Sequence, residues 1–442
     1  MPALKLSEGA EFIIDRLEKN GYKAYAVGGC VRDLLRGKTP CDFDIASSAS
    51  PFRVLELFAD TPTFETGLKH GTVTVVVDGE NYEVTTFRRD GEYSDGRRPD
   101  GVTFTDDLTE DLARRDFTVN AMAYNYSDGL IDPFGGLDDL KSRTLKCVGD
   151  PYKRFKEDSL RILRLVRFSS SLGFVADKKT AEAAKELRSG LSHVSAERVF
   201  VELDKTLHGE NAVNALLGFH DIIFEVLPEL KPCYKFDQKS PWHRYDVYEH
   251  IVRSVGAADN VEEIKWCMLL HDIGKPDCYV FRNGSGHFYG HAEVSVKKAE
   301  AIFDRLKVSR KLKRYALFLI KNHDYVISPD DKSVKKVIAK WGYGAFYDIL
   351  KVKKADNAAQ ATEAAEKESG VTDELKRIAD KIKARGDCVC LKDLAINGDD
   401  LLELGVEKEK ISKILNFTLS KVISGTLKND KEILLKYISK SV

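Results

Sequence analysis

Asp42 and Asp44 stand two residues apart in Cys41-Asp42-Phe43-Asp44-Ile45, shortly after Gly28-Gly29-Cys30-Val31-Arg32-Asp33. This arrangement constrains the fold more than any other stretch of the chain. Residues i and i+2 of a β-strand face one way. The spacing therefore predicts two carboxylates on one side of a strand, with Phe43 and Ile45 turned into a core. Hard divalent cations take oxygen ligands, and Mg²⁺ in phosphate chemistry usually takes one or two protein carboxylates together with substrate phosphates. Paired glycines let backbone approach a phosphate closely, and Arg32 adds a fixed positive charge. Asp-x-Asp alone also occurs in solvated turns. The preceding Gly-Gly-x-Val-Arg-Asp turns the pair toward metal-dependent nucleotidyl transfer.

The chain has 442 residues, 43% of them apolar and 31% charged, enough for two to four domains with ample core. No apolar run approaches the ~20 residues of a membrane span. Met1 to Gly21 reads as an amphipathic helix with Phe12, Ile13 and Leu17 on its apolar face, and it lacks the features of a signal peptide. A cytoplasmic location with no membrane partner is the expectation. The eight cysteines are scattered. Cys388-x-Cys390 without a second pair is a poor zinc site, so reduced thiols are expected. A net charge of −1 does not itself imply nucleic acid. Local basic groups do occur, at Arg88/Arg89 with Arg97/Arg98, at Arg114/Arg115, and at Arg310, Lys311, Lys313 and Arg314. The last group reads equally well as a solvated helix face.

Tyr22 to about Tyr126 reads as α/β. Ala24 to Val27 and Phe43 to Ala46 are short strands, Val31 to Arg36 starts a helix, and Ser50-Pro51 opens another through Phe58. Thr72–Val77 and Tyr82–Phe87 are β-branched runs joined by Asp78-Gly79-Glu80-Asn81, a hairpin signature. Arg88 to Gly101 is polar and glycine-containing and predicts a mobile loop. Beyond Gly136 the pattern is helical to the end. A linker is expected from Lys231 to Pro241, and residues 357–387 lack a dense core pattern. No fixed-period repeat is visible.

A second constellation lies in Phe155 to Phe168. Asp158, Arg161, Arg164 and Arg167 recur every three residues, and the spacing predicts one helix with Leu160, Leu163 and Val166 as the apolar partner row. An amphipathic helix with a solvated Asp–Arg pair would account for part of this. Three arginines in that register call for an anion, carboxylate or phosphate. A carboxylate only accepts hydrogen bonds and a guanidinium only donates. Cytosine and adenine each present an amino donor beside a ring-nitrogen acceptor, whereas guanine and uracil present the reverse. An Asp158/Arg161 pair thus fits C and A, with discrimination of roughly 1–3 kcal/mol per well-made pairing.

Four segments, in this order and spacing, resemble the class II tRNA nucleotidyltransferases, the CCA-adding enzymes, and their relatives the bacterial poly(A) polymerases. They are Val27 to Asp33, Cys41 to Ala46, Asp111 to Ala121 with its Arg114-Arg115-Asp116 core, and Glu157 to Arg161. The resemblance implies an α+β chain: a polymerase-β-like nucleotidyltransferase head (1–140), then an all-helical neck (141–230), an HD-type body (231–360) and a tRNA-binding tail (361–442). It implies Asp42 and Asp44 as ligands of catalytic Mg²⁺, and Glu83 is the candidate third carboxylate, the alternative being a surface strand residue. Gly29, Arg32 and Arg115 would contact the triphosphate, with Arg164 and Arg167 lining the same pocket. Asp158 and Arg161 would read the base, and Asp116 and Asn120 would be structural or ribose-facing. The implied partners are a tRNA 3′ end, CTP and ATP, with no DNA expected. The segment Thr66 to Val75 lacks the arginine-rich strand of the poly(A) relatives. Leu391 to Leu401, continuing to Gly405, resembles the C-terminal module of CCA enzymes. CCA addition is therefore favoured over poly(A), A-only or C-only addition.

His250, His271-Asp272 and Asp356 follow the order of an HD domain, and His291 and His323 occupy the positions used by two-metal versions. Imidazole with carboxylate suits Mn, Fe, Ni or Zn better than Mg. The expectation is a second divalent transition metal and a possible phosphohydrolase, against a scaffold whose histidines merely pack. A rival to the whole reading is an HD phosphohydrolase with an RNA-binding head. A further rival is a module that binds CTP without releasing pyrophosphate. His70, His193, His208, His220, His243 and His287 show no ligand spacing and are expected to be structural.

Overall fold

The computed structural model describes all residues except 1–3, 66, 69–70, 92–100, 241–242, 361 and 441–442. The expected mobile loop and Arg97/Arg98 fall largely or wholly outside the described residues, as does His70. The chain forms two compact units, Met1–Pro228 and Glu229–Val442.

The first unit begins with α1 (Glu8–Lys19), β1 (Ala24–Val27), α2 (Gly29–Leu35), β2 (Asp44–Ser47), α3 (Pro51–Leu57), β3 (Thr63–Phe64), β4 (Thr72–Val77) and β5 (Glu80–Thr86). There follow β6 (Arg88–Asp90), β7 (Val102–Phe104), α4 (Leu108–Ala113), β8 (Ala123–Asn125), β9 (Gly129–Ile131), α5 (Gly136–Lys141) and β10 (Thr144–Leu145). The unit ends with α6 (Pro151–Glu157), α7 (Leu160–Leu172), β11 (Val175–Ala176), α8 (Lys178–Glu186), α9 (Ala196–Leu207), α10 (Ala212–Gly218) and α11 (His220–Val226). The main sheet has the order β3-β4-β5-β2-β1-β8-β9. Only β2 and β5 run parallel in it.

Local chemistry explains these elements. The Ser50 side chain accepts from Arg53 N, and Pro51 fills the first turn of α3, a cap worth about 1 kcal/mol. The β4–β5 hairpin pairs Val77 with Glu80. Its turn is therefore only Asp78-Gly79, with φ of 52° and 82°, the double positive φ of a type I′ turn. The expected four-residue link is two residues shorter because strand pairing extends to Glu80. Tyr25, Val27, Ala46, Phe87, Leu112 and Ala121 meet in a core beneath the sheet.

The second unit contains α12 (Val247–Ala257), α13 (Glu262–Leu270), β12 (Val280–Arg282), β13 (Ser285–His287), α14 (His291–Arg305) and α15 (Arg310–Asn322). It continues with α16 (Asp331–Ala358), α17 (Thr362–Ala384), α18 (Gly398–Glu403), α19 (Lys408–Ile423) and α20 (Lys431–Ser439). α16 is kinked at Gly342, whose φ of 80° and ψ of 163° lie outside helical space, a conformation readily open only to glycine. No helix among the described residues is long and apolar enough to cross a membrane, and all eight cysteines are free.

Four expectations change. The region beyond Gly136 is not all-helical, because β10 pairs with β11 and β12 with β13. The segment expected to be a linker is packed: Cys233 and Gln238 are buried, and Gln238 Oε1 accepts from Lys275 Nζ at 3.0 Å. Residues 357–387 do contribute core, since Leu375, Ile378, Ala379 and Ile382 of α17 pack with Val334, Ile338 and Phe346 of α16. Phe43 is only half-buried, because β2 starts one residue after it.

Candidate active site

The carboxylates gather at the start of β2. Asp44 opens the strand, Asp42 precedes it, and Glu83 is the parallel-register partner of Asp44 on β5. Asp42, Asp44 and Glu83 all keep solvent access. The Asp44 carboxyl is held above its ordinary value by desolvation first, with Asp42 and Glu83 adding negative charge and Arg115 opposing. Two carboxylates beside Asp44 make its ionisation costlier, a charge crowding that a divalent cation would relieve.

A cavity of about 420 Å³ opens beside them, and Gly28, Gly29, Asp42, Asp44, Asp158 and Arg161 are among its lining residues. Gly28 has φ 80°, and a Cβ there would stand 2.6 Å from Arg115 Nη1. Glycine is therefore needed for backbone conformation and for the arginine's path. Arg115 also lies near Asp111, with Nη2 at 3.7 Å from Oδ2.

One hydrogen-bonded chain organises the basic wall. Arg32 donates to Asp33 at 3.0 and 2.8 Å and to Asn120 Oδ1 at 2.6 Å. Asn120 Nδ2 donates to Asp116 Oδ1 at 3.0 Å, and Arg164 Nε donates to Asp116 Oδ2 at 2.6 Å. Burial opposes ionisation of Asp116, but Arg164, Asn120 and the Phe117 amide outweigh it and hold the carboxyl far below its usual range. Asp116 and Asn120 thus serve as internal anchors. Phe168 sits among the arginines, with Arg32, Arg164 and Arg167 guanidinium carbons 5.4, 5.3 and 4.1 Å from its ring centre. Arg167 also pairs with buried Glu202 at 3.2 Å.

The three-residue row does not run along one helix. α6 ends at Glu157, and Asp158 is extended, with φ −142° and ψ 104°, before α7 begins. Arg161, Arg164 and Arg167 lie on α7, while Asp158 sits at the corner and accepts from Leu160 N at 3.0 Å. Leu160, Leu163 and Val166 are buried. Asp158 and Arg161 both line the cavity but do not pair with each other among the described contacts. Arg161 donates to Glu157 Oε2 at 2.7 Å and to the Arg154 and Arg114 carbonyls at 2.9 Å. The carboxylate of Asp158 is held by Arg198 of α9, a residue the sequence reading missed. Its signal is visible only in three dimensions, because the pair spans 40 positions.

In the second unit, ligand atoms of His250, His271, Asp272 and Asp356 lie within 4.8 Å of one another, and those of Asp272, His291 and His323 do likewise. Asp272 belongs to both groups. His250 and His271 Nε2 are each 3.2 Å from Asp272 Oδ2, and His291 Nε2 is 3.3 Å from Oδ1. Yet both Asp272 oxygens and the Nε2 atoms of His250 and His271 are buried without a well-directed hydrogen bond. Orphaned acceptors converging on one point fit a cation. Lys275 Nζ lies 2.7 Å from Asp272 Oδ2. His243, expected to be structural, faces His250 with ring centres 5.6 Å apart, and burial, with Lys275 and His250 adding, pushes it down to about 3.

Residues 24–146 match the family described as the Poly A polymerase head domain. Residues 173–233 match "Probable RNA and SrmB- binding site of polymerase A", and 288–438 match tRNA nucleotidyltransferase domain 2. Fold and matches together define a polymerase-type head followed by a largely helical region. A CCA-adding enzyme of Oceanobacillus iheyensis is 47% identical over 228 residues, 51% of this chain and 56% of the relative. That of Geobacillus stearothermophilus is 50% identical over 204 residues, 46% of this chain and 50% of the relative. The matched region thus spans about half the length of these curated relatives. A Bacillus stearothermophilus CCA-adding enzyme solved in complex with CTP is 30% identical, with TM-score 0.69, covering 98% of this chain and 96% of that one. A Thermotoga maritima CCA-adding enzyme complexed with tRNA shares the fold at TM-score 0.60 and 20% identity, over 99% and 97% of the two chains. The chain belongs to the CCA-adding enzyme family.

Proposed function

We propose that this protein adds cytidine and adenosine to the 3′ end of tRNA, using CTP and ATP and releasing pyrophosphate, in the cytoplasm. The observation that carries the reading is the convergence of Asp42, Asp44 and Glu83 with an arginine-lined cavity that also holds Asp158 and Arg161. The relative in complex with CTP supports the substrate class.

Asp42 and Asp44, with Glu83 beside them, would hold Mg²⁺. When bound it supplies a Lewis acid for the α-phosphate and for the attacking and leaving oxygens. The chain itself mainly positions and neutralises. Gly28 and Gly29 let the triphosphate approach the backbone. Arg32, Arg115, Arg164 and Arg167 offset its charge, with Asn120 and Asp116 fixing the first and third of these. The RNA 3′ oxygen attacks the α-phosphorus as the bond to the β-phosphate's bridging oxygen breaks. Asp158 accepts from the amino group of C or A and Arg161 donates to the ring nitrogen. G and U would set carbonyl against carboxylate and N–H against guanidinium.

The test is a purified enzyme given tRNA lacking its 3′ end and all four labelled nucleotides. C-C-A is the expected product. A run of A, or A alone, would replace it with the poly(A) or A-only reading. Asp42→Ala incorporating label like the parent would sink the head assignment.

A second site has its own observation, the buried Asp272 carboxylate shared by two histidine groups. His250, His271, Asp272 and Asp356 would hold one transition-metal ion, and Asp272 with His291 and His323 would hold another. This is the ligand set of a metal phosphohydrolase. Release of phosphate from a nucleotide monophosphate in added Mn²⁺ or Ni²⁺, abolished in His271→Ala, tests it.

A further inference from the structure

The Asp158–Arg198 contact is a two-point fork. Arg198 Nη2 lies 2.7 Å from Asp158 Oδ2, and Nη1 lies 3.4 Å from Oδ1. The backbone N–H of Leu160 donates to Oδ1 as well. An ionised carboxylate offers about four lone-pair directions. Three are taken by donors that belong to the fold, so the carboxylate plane is fixed and roughly one direction is left for a ligand.

Arg198 and Glu202 are one helical turn apart on α9, which places them on one face. Glu202 is buried and grips Arg167 through Nη1 at 3.3 Å and Nε at 3.2 Å. That face of α9 therefore holds one acidic and one basic member of the cavity wall. Asp158 itself sits outside both flanking helices. Without Arg198, only the Leu160 amide would restrain its side chain among the contacts described.

We propose that Arg198 is a specificity-determining positioning residue, orienting the Asp158 carboxylate so that a single amino donor fits it. The proposal rests on the base-reading role of Asp158. It predicts a selectivity defect. A carboxylate free to rotate can turn away from a guanine or uracil carbonyl instead of meeting it. The penalty for the wrong base then falls, while phosphate binding by Arg32 and Arg164 is unaffected.

The experiment measures kcat/KM for CTP, ATP, UTP and GTP on tRNA lacking its 3′ end, with the parent, Arg198→Gln and Arg198→Lys. In Arg198→Gln, discrimination of CTP over UTP and of ATP over GTP should drop by about tenfold, the worth of one directed base contact. Arg198→Lys restores charge without the planar fork and should recover less than half of that loss on a logarithmic scale. Equal loss for all four nucleotides, or selectivity unchanged in both variants, would overturn the proposal. A parent enzyme selective for C and A keeps the base-reading role standing in either case. A parent that incorporates none of the four removes that role and this proposal together.

Discussion

Arg164 Nε donates to Asp116 Oδ2 at 2.6 Å, and the same carboxylate accepts from Asn120 through its other oxygen. Asp116 is buried and its carboxyl lies well below the ordinary range, because Arg164 and Asn120 outweigh its desolvation. A depressed carboxyl stabilises the folded state at pH above its unfolded value of about 3.9 and loses that contribution as pH falls toward the folded value. Asp116→Asn should therefore lower resistance to urea at pH 7, by about 1–3 kcal/mol, because the half-buried Arg164 loses its charged partner. The parent–variant gap should narrow progressively as pH falls below about 4. A gap that persists unchanged at pH 3 would show that the carboxylate charge is not the source.

Gly28 is a second point where one substitution should be felt. Alanine there meets both a φ of 80° and a Cβ 2.6 Å from Arg115 Nη1. Gly28→Ala should cost about 1–3 kcal/mol in denaturant unfolding, and its KM for CTP should rise as Arg115 is displaced. Unchanged stability and KM would mean that the glycine serves neither purpose.

Glu83 pairs with Asp44 across β2 and β5. If it shares the cation, Glu83→Gln should raise the Mg²⁺ concentration for half-maximal incorporation by about 10- to 100-fold, the range for losing a supporting carboxylate. A surface role would leave the Mg²⁺ titration where it was. Asp42→Ala, measured alongside, should fall below detection.

The histidine cluster predicts metal without reference to polymerisation. Elemental analysis of the purified protein should find a transition metal, and Asp272→Ala should remove it from both groups because Asp272 is common to them. His323→Ala should spare the ion held by His250, His271 and Asp356. CCA addition by these variants should match the parent, and a parallel loss of addition would tie the cluster to the head instead.

Much of the head was legible because strands announce themselves through β-branched runs and Asp78-Gly79, and because carboxylate and glycine spacing is short-range. Glu83 could be singled out on its strand, and the register then set it beside Asp44. The Asp158 row misled for a physical reason. A three-residue recurrence continues through the α6–α7 corner without Gly or Pro, and the break is made by the extended backbone of Asp158 itself. Leu375, Ile378, Ala379 and Ile382 do follow a helical period, but the surrounding Ala, Glu and Lys diluted it. Arg198 and the approach of His243 to His250 depend on tertiary contacts that no local pattern encodes.

β2 and β5 are the one parallel pair in the seven-stranded sheet. Neighbouring strands are held about 4.8 Å apart by backbone hydrogen bonds. The spacing of Asp44 and Glu83 is thus a ruler built from main chain, indifferent to which side chains fill the loops around it. Variation in the loops can retune what the protein grips and leave that ruler untouched.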